Sequence, residues 1–284
     1  MAVRTLRRLR VGRELRALRR ACGLNLEEAA KLFGRSDGSL SKIENGQQRV
    51  FPRDLHAFFA VYNVTDEDRK NELMELASRS LQPAYPAQYG EVVRPSFADY
   101  LALEQDAVSI MYWGETIPGL FQTRDYAIQV VESGQIWQER KQVEKFVDLR
   151  LERQTVLTRV DPAPPKIHIV MGERALLQRQ GNEPAVHRKQ LEHLVTTAGL
   201  PNVSLQVLPF TAGPHPGDNG PFTTMTFAQD EPPVAVVGML MSAIFFEEPS
   251  SYQRYEAAGE QLRMAALSPR ESLAKITTII EELA

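Results

Sequence analysis

In residues 24–46, Leu-Asn-Leu-Glu-Glu-Ala-Ala-Lys-Leu-Phe-Gly-Arg-Ser-Asp-Gly-Ser-Leu-Ser-Lys-Ile-Glu-Asn-Gly, a carboxylate, a hydroxyl and an ammonium group recur at helical spacing as Asp37, Ser41 and Lys42. With Gly38 they make one outward face, able to hydrogen-bond and to pair charge, while Leu40 and Ile43 lie three apart on the inward face. Ser36 can cap that helix, and Asn45-Gly46 supplies a left-handed exit. Before it, Asn25 and Glu28 have capping-box spacing ahead of the small, close-packing pair Ala29 and Ala30, and Gly34 permits a bend between the helices. Two short helices about a tight glycine turn are the build of a DNA-reading helix-turn-helix.

Helix pairs joined by a short turn also occur in ordinary bundles, and some helix-turn-helix domains bind protein alone, so charge must separate the readings. Residues 1–50 hold 12 Lys+Arg against 5 Asp+Glu, a net of +7, which leaves −10 on the remainder for a total of −3. A cationic head on an acidic body is the pattern of a chain in which one part meets phosphates and the other does not. Arg4, Arg7, Arg8, Arg10, Arg13, Arg16, Arg19 and Arg20 crowd the first helix, and part of such a run is simply a solvated face. Arg20, Asn25 and Arg49, with the capped amides at Ser36, are the candidates for phosphate contacts that set register without reading sequence.

The stretch from about Val11 to Val64, most clearly Leu40-Ser41-Lys42-Ile43-Glu44-Asn45-Gly46, resembles the phage-repressor and Xre class of helix-turn-helix domains. The resemblance implies that Asp37, Gly38, Ser41 and Lys42 read base edges, and that Arg19 forms an internal ion pair with Glu44 locking the first helix onto the recognition helix. Asp37 and Gly38 depart from a good reading face. A glycine has no side chain to offer, and an aspartate is repelled by phosphate unless it accepts from cytosine N4. Direct readout therefore rests on Lys42 and Ser41.

With 284 residues and 43% hydrophobic content, the chain can bury a sizeable core and predicts two domains. Its one cysteine, Cys22, forms no intrachain disulfide and reads as a small buried hydrophobe, in keeping with a reducing cytoplasm. No apolar run of about 18 residues exists, and the arginine-rich start lacks the apolar stretch and cleavage site of a signal peptide, so the expected location is cytoplasmic and nucleoid-associated, with no membrane contact. Leu55, Phe58, Phe59 and Tyr62, then Leu73, Met74 and Ala77, continue helical patterning over 51–64 and 66–80. Two prolines in Gln82-Pro83-Ala84-Tyr85-Pro86-Ala87 then interrupt it. The boundaries that follow are 1–80 for an all-α helix-turn-helix domain, 81–94 for a linker, and 95–284 for a larger mixed α/β domain.

Within that body, 96–113 and 138–160 read as helices, and Ile167–Met171, Val203–Leu208, Phe222–Phe227 and Val234–Leu240 as strands. A helix over 183–199 sits where a crossover between the first two strands belongs. Two helices, 250–266 and 268–283, close the chain, the second opening on cap Ser268, Pro269 and capping-box Glu271. Trp113, Ile117, Leu120, Phe121 and Tyr126 read as core or as a partner anchor, as do Tyr89, Phe97 and Tyr100. His168, His187, His193 and His215 are scattered without zinc-ligand spacing, and no nucleophile elbow, phosphate-cradling glycine loop or paired-cysteine motif is present. No catalytic residue, metal or cofactor is assigned. Glu173, Glu192, Arg150 and Arg153 read as surface or interface ion pairs, and the long loop 212–220 as a ligand lid or a disordered connection.

The phrases Ile117-Pro118-Gly119-Leu120-Phe121-Gln122-Thr123, Arg150-Leu151-Glu152-Arg153-Gln154, Gln190-Leu191-Glu192-His193-Leu194, Val207-Leu208-Pro209-Phe210, Gly220-Pro221-Phe222 and Ala266-Leu267-Ser268-Pro269-Arg270-Glu271-Ser272 resemble the large C-terminal domain of actinobacterial WhiJ-like, antitoxin-like developmental regulators. That resemblance implies a repressor whose large domain receives a small partner protein of the BldB type or a small-molecule signal. The alternative is an antitoxin-like module that neutralises its partner and autoregulates its operon. A single recognition helix with thin readout predicts a homodimer on a palindromic double-stranded operator, with half-sites about 34 Å apart.

Overall fold

The computed structural model describes residues 6–83, 85–137, 139–179, 181, 183–228, 231–239 and 242–283. The chain divides into two units, residues 1–84 and 85–284. Arg4, Gln138 and Leu240, at the ends of sequence-predicted segments, lie outside the described residues.

The described part of the first unit is built from α1 (Leu6–Ala21), α2 (Leu26–Leu32), α3 (Asp37–Glu44), α4 (Pro52–Val61) and α5 (Glu67–Leu81). Asn25 Oδ1 accepts from the Glu28 amide at 2.9 Å while Glu28 Oε2 accepts from the Asn25 amide at 2.8 Å, so the two satisfy each other's orphan donors where α2 begins. Gly34 turns between α2 and α3 with φ +60°, a conformation that a side chain would strain. The inward faces close on Val11, Leu15, Leu40, Ile43, Leu55, Phe58 and Leu73, all buried. Each of these large apolar side chains contributes roughly 1.5–3 kcal/mol on leaving water. Cys22 is exposed, contrary to its reading as a buried hydrophobe. It follows the last turn of α1 in the surface bend at Gly23, where its thiol donates to the Tyr62 carbonyl at 3.2 Å.

The second unit carries one six-stranded mixed sheet in the order β3-β2-β1-β4-β5-β6. The strands are β1 (Ser109–Gly114), β2 (Lys166–Gly172), β3 (Val203–Leu208), β4 (Phe222–Thr226), β5 (Val234–Gly238) and β6 (Ala243–Phe246). Around them stand α6 (Pro95–Asp106), α7 (Arg124–Ser133), α8 (Arg140–Arg153), the short α9 (Arg174–Leu177), α10 (Pro184–Ala198), α11 (Pro249–Ala265) and α12 (Pro269–Glu282). β1 runs parallel to β2 and antiparallel to β4, and the β2–α10–β3 connection is the expected crossover between parallel strands. One sheet face carries Trp113, Val170, Leu208 and Phe222 against Tyr255, Ala258 and Leu262 of α11. α12 covers the β3 edge, where Ser272 Oγ accepts from the Val207 amide at 2.9 Å, leaving that strand no free edge there.

Three sequence readings are corrected in this unit. The helix expected over 96–113 stops at Asp106, and Ser109–Gly114 becomes the strand between β2 and β4. A central strand flanked by two others reads as a continuous apolar run, which periodicity cannot distinguish from a helix end. Arg153 makes no surface pair: its guanidinium grips Glu104 by two bonds, at 2.9 and 2.8 Å, and that carboxylate is 2% exposed. Arg150 donates to Gln122 Oε1, and burial beside the charge of Arg153 lowers it to about 10, so it stays cationic at neutral pH. The loop over 212–220 does not stand off the body: Trp113 Nε1 donates to the Gly217 carbonyl at 3.1 Å and pins it to the sheet. Ile117, Leu120, Phe121 and Tyr126 join Trp113 in the core.

Burial holds His168, His187 and His193 below the ordinary imidazole value of 6.5, and His187 Nε2 lies 2.7 Å from the Leu176 carbonyl oxygen. Each therefore takes up a proton more readily when unfolded. Stability supplied by neutral imidazoles is complete above 6.5 and is lost as the pH falls below it. The second unit is predicted to melt at lower temperature at about pH 5.5 than at pH 7.5, and His187→Gln should flatten that slope in a calorimetric pH series.

Candidate nucleic-acid interface

α3 ends on an acid, Glu44, where the helix macrodipole is already negative, so this carboxylate needs cations. α1 supplies two. Arg19 Nε lies 2.6 Å from Glu44 Oε1 and Arg19 Nη2 lies 2.9 Å from Oε2, a bidentate pair buried on both sides. Arg16 Nε reaches the same Oε2 at 3.1 Å, and its Nη2 donates to Asn45 Oδ1 at 2.8 Å. Arg19 Nη1 also donates to the Leu24 carbonyl at 2.8 Å, so one guanidinium joins α1, the turn before α2 and the end of α3. The bond to Glu44 raises the Arg19 pKa against the opposing effect of burial.

Backbone contact sets the same joint. A Cβ placed on Gly12 would lie 2.5 Å from the Ile43 carbonyl oxygen and 2.6 Å from that of Glu44, so α1 touches α3 where only glycine fits. Gly46, at φ +67°, passes equally close to α1, with a Cβ there falling 2.7 Å from the Leu9 nitrogen. The carboxyl end of α3 is thus seated, and its amino end faces outward with Ser36 capping the Ser39 amide at 3.2 Å.

On the outward face Asp37, Gly38 and Lys42 are exposed and Ser41 is half-buried. Asp37 Oδ1 accepts from the Gly38 amide at 2.8 Å, which places its charge at the positive end of the helix and turns one oxygen inward. Asn45 Nδ2 donates to Ser41 Oγ at 3.2 Å, so Ser41 retains its hydrogen to donate outward. A Cβ on Gly38 would meet nothing within 4 Å, which makes this glycine a gap in the face where backbone can approach closely. Arg20 near the end of α1, Asn25 before α2, Ser36 before α3 and Arg49 after it are all exposed. The capping bonds occupy the side-chain oxygens of Asn25 and Ser36, leaving an amide and a hydroxyl hydrogen to donate.

Sequence reading missed Arg16 and Gly12. Arg16 stands three residues before Arg19 and so on the same helix face, a signal present in the spacing. Gly12 was marked by its cost, since a glycine inside a helix forfeits about 1 kcal/mol relative to alanine unless something must approach it. The arginine run is also less solvated than its charge suggests, because Arg7, Arg10 and Arg19 are buried.

Glu44→Gln leaves two guanidinium groups crowded without their anion and is predicted to destabilise the first unit by about 3 kcal/mol in urea denaturation. Gly12→Ala, which forces the α1 and α3 backbones apart, should cost about 2 kcal/mol in the same assay. Gly38→Ala, in open space, should leave stability unchanged or raise it by roughly 0.5 kcal/mol.

Residues 10–71 match the family model described as a helix-turn-helix domain, and residues 97–278 match that described as a domain of unknown function (DUF5753). No curated protein and no solved structure matches the chain. No helix among the described residues is long and apolar enough to cross a membrane. With a helix-turn-helix match in the first unit and the DUF5753 match over more than half of the chain, the chain is a helix-turn-helix DNA-binding regulator that belongs to the DUF5753 family.

Proposed function

We propose that the protein is a sequence-specific transcriptional repressor that binds a palindromic operator as a homodimer, with α3 of each copy in a major groove. Ser41 and Lys42 read base edges, Asp37 accepts from a cytosine amine or stays neutral to readout, and Gly38 lets the backbone come close. Arg20, Asn25, Ser36 and Arg49 meet phosphates and set the register. The second unit receives a small partner protein of the BldB type, or a small-molecule ligand, that modulates operator binding.

The observation that carries this reading is the double clamp on Glu44. It holds α3 by its carboxyl end against α1 and leaves an exposed face with a lysine, a serine hydroxyl and a capped amino terminus free of packing duty. The acidic second unit supports the same division, since it adds no attraction to phosphate.

Binding measured at several salt concentrations, on the selected operator and on unrelated duplex, tests the assignment. Lys42→Ala is predicted to lose about 1–3 kcal/mol on the operator with little change on unrelated DNA. Arg49→Ala should weaken binding to every sequence and reduce the slope of log affinity against log salt by about 1. An unchanged footprint for Lys42→Ala would remove α3 as the reading helix.

A further inference from the structure

The two edges of the six-stranded sheet are finished differently. At β3 the outward backbone groups of Val207 are both engaged, its amide by Ser272 Oγ at 2.9 Å and its carbonyl by the Leu267 amide at 2.9 Å. β6 is the other edge, hydrogen-bonded in the sheet to β5 alone. The Met239 amide donates to the Ser242 carbonyl at 2.8 Å, which makes these two a hydrogen-bonded pair where the β5–β6 ladder begins. Alternation from there turns the N–H and C=O of Ile244 and Phe246 toward β5, and those of Ala243 and Phe245 outward. Among the described residues no hydrogen bond reaches those outward groups. Natural sheets blunt an open edge with lysine, proline or a bulge. Ser242-Ala243-Ile244-Phe245-Phe246 carries no charge and no proline, and its register with β5 runs residue for residue. Ile244 is 43% exposed, and Met239, just before the turn into β6, is 53% exposed.

We propose that β6 pairs antiparallel with β6 of a second copy of this chain, joining the two sheets into one across a two-fold axis at Ile244. A strand paired antiparallel with itself obeys two-fold symmetry, so the same edge serves both copies. Centred on Ile244, the pairing sets Ala243 of each copy opposite Phe245 of the other, and each such pair exchanges both of its N–H···O bonds. All the outward groups of the strand are thereby satisfied. Ile244 meets Ile244 of the second copy at a non-hydrogen-bonded position, where opposed side chains come closest, so the exposed apolar residue of the strand is the one that becomes buried. Charge agrees with this occupant: the chain beyond residue 50 carries −10, and the uncharged segment 242–246 lets two acidic bodies meet without opposing like charges across the paired residues. An edge of four residues is a small contact against the roughly 800 Å² per partner of a standard interface. Self-association is therefore concentration-dependent, and two half-sites on one operator reinforce it. The proposal deepens the homodimer of the proposed function and rests on it, but its test is read without DNA, so failure of this pairing and failure of operator recognition are separate results.

The test is analytical ultracentrifugation of the full-length chain over a wide range of concentrations. Ala243→Pro removes an outward N–H and leaves the β5 ladder whole, and Ile244→Lys sets two lysines face to face across the axis. Each should weaken self-association by at least about tenfold while the melting temperature is retained. In a chain carrying Cys22→Ser, Ile244→Cys should give a disulfide-linked dimer on mild oxidation, since residues opposed at such a position lie about 4.5 Å apart at Cα. Adding Ala243→Pro to that chain should abolish the cross-link. Self-association that survives both Ala243→Pro and Ile244→Lys, a chain that sediments as a monomer at every concentration, or a dimer that Ile244→Cys does not link overturns the proposal. So does protection of the Ala243 and Phe245 amides from hydrogen exchange that arises only when a different protein is added, which would give the edge to that partner's strand.

Discussion

The Glu44 carboxylate organises the first unit. A carboxylate at the negative end of a helix and inside a protein is doubly unfavourable, by dipole and by desolvation, and is tolerated only when cations satisfy it there. Arg19 does so by two bonds and Arg16 by a third, and both come from α1. The charge therefore cannot be satisfied unless α1 and α3 are in register. Gly12 permits that approach by having no Cβ, and Leu15, Leu40 and Ile43 fill the space around it. The apolar contacts supply most of the favourable energy, and the ion pair ties the end of α3 to α1.

From that joint follows the exposure of the opposite end of α3. A helix of eight residues has little stability of its own, since nucleation is costly, so it must borrow order from its neighbours. Clamping the carboxyl end leaves Asp37, Gly38 and Lys42 in solvent, where the Ser36 hydroxyl accepts from the Ser39 amide. The same residues would be poor choices for a buried helix, with an acid, a glycine and a lysine on one side. They suit a helix whose outer face meets a polar, hydrogen-bonding partner.

The second unit solves a different problem. Its sheet is capped by α12 at the β3 edge and covered on one face by α11, while the other face is buried at Ile110, Ile169, Leu205 and Met225 and borders an aromatic-walled space at Tyr112, Thr223 and Val236. Trp113 and Tyr112 are adjacent in sequence and point to opposite faces, so a single strand supplies both the packed side and the cavity floor. Arg153 and Glu104 stiffen the wall behind that space, because a buried pair with two bonds leaves each partner few alternatives.

Local chemistry made much of this legible without coordinates. The caps at Asn25, Ser36 and Ser268, the turns at Gly34 and Gly46 and the crossover helix before β3 are encoded within a few residues of where they act. The contrast of a cationic start and an acidic remainder is likewise a property of composition. What required the tertiary structure is whatever depends on residues distant along the chain. Ser109–Gly114 became a strand because β2 and β4, far along the chain, pair with it on both sides. Arg16 joined Glu44, and Arg153 left the surface for Glu104, because folding set a cation beside each buried anion. The cavity exists because α6, α8 and three strands stop short of filling one space. Hydrogen-bonded caps and turns are decided by near neighbours, whereas the satisfaction of buried charge and the filling of volume are decided by what the whole fold brings together.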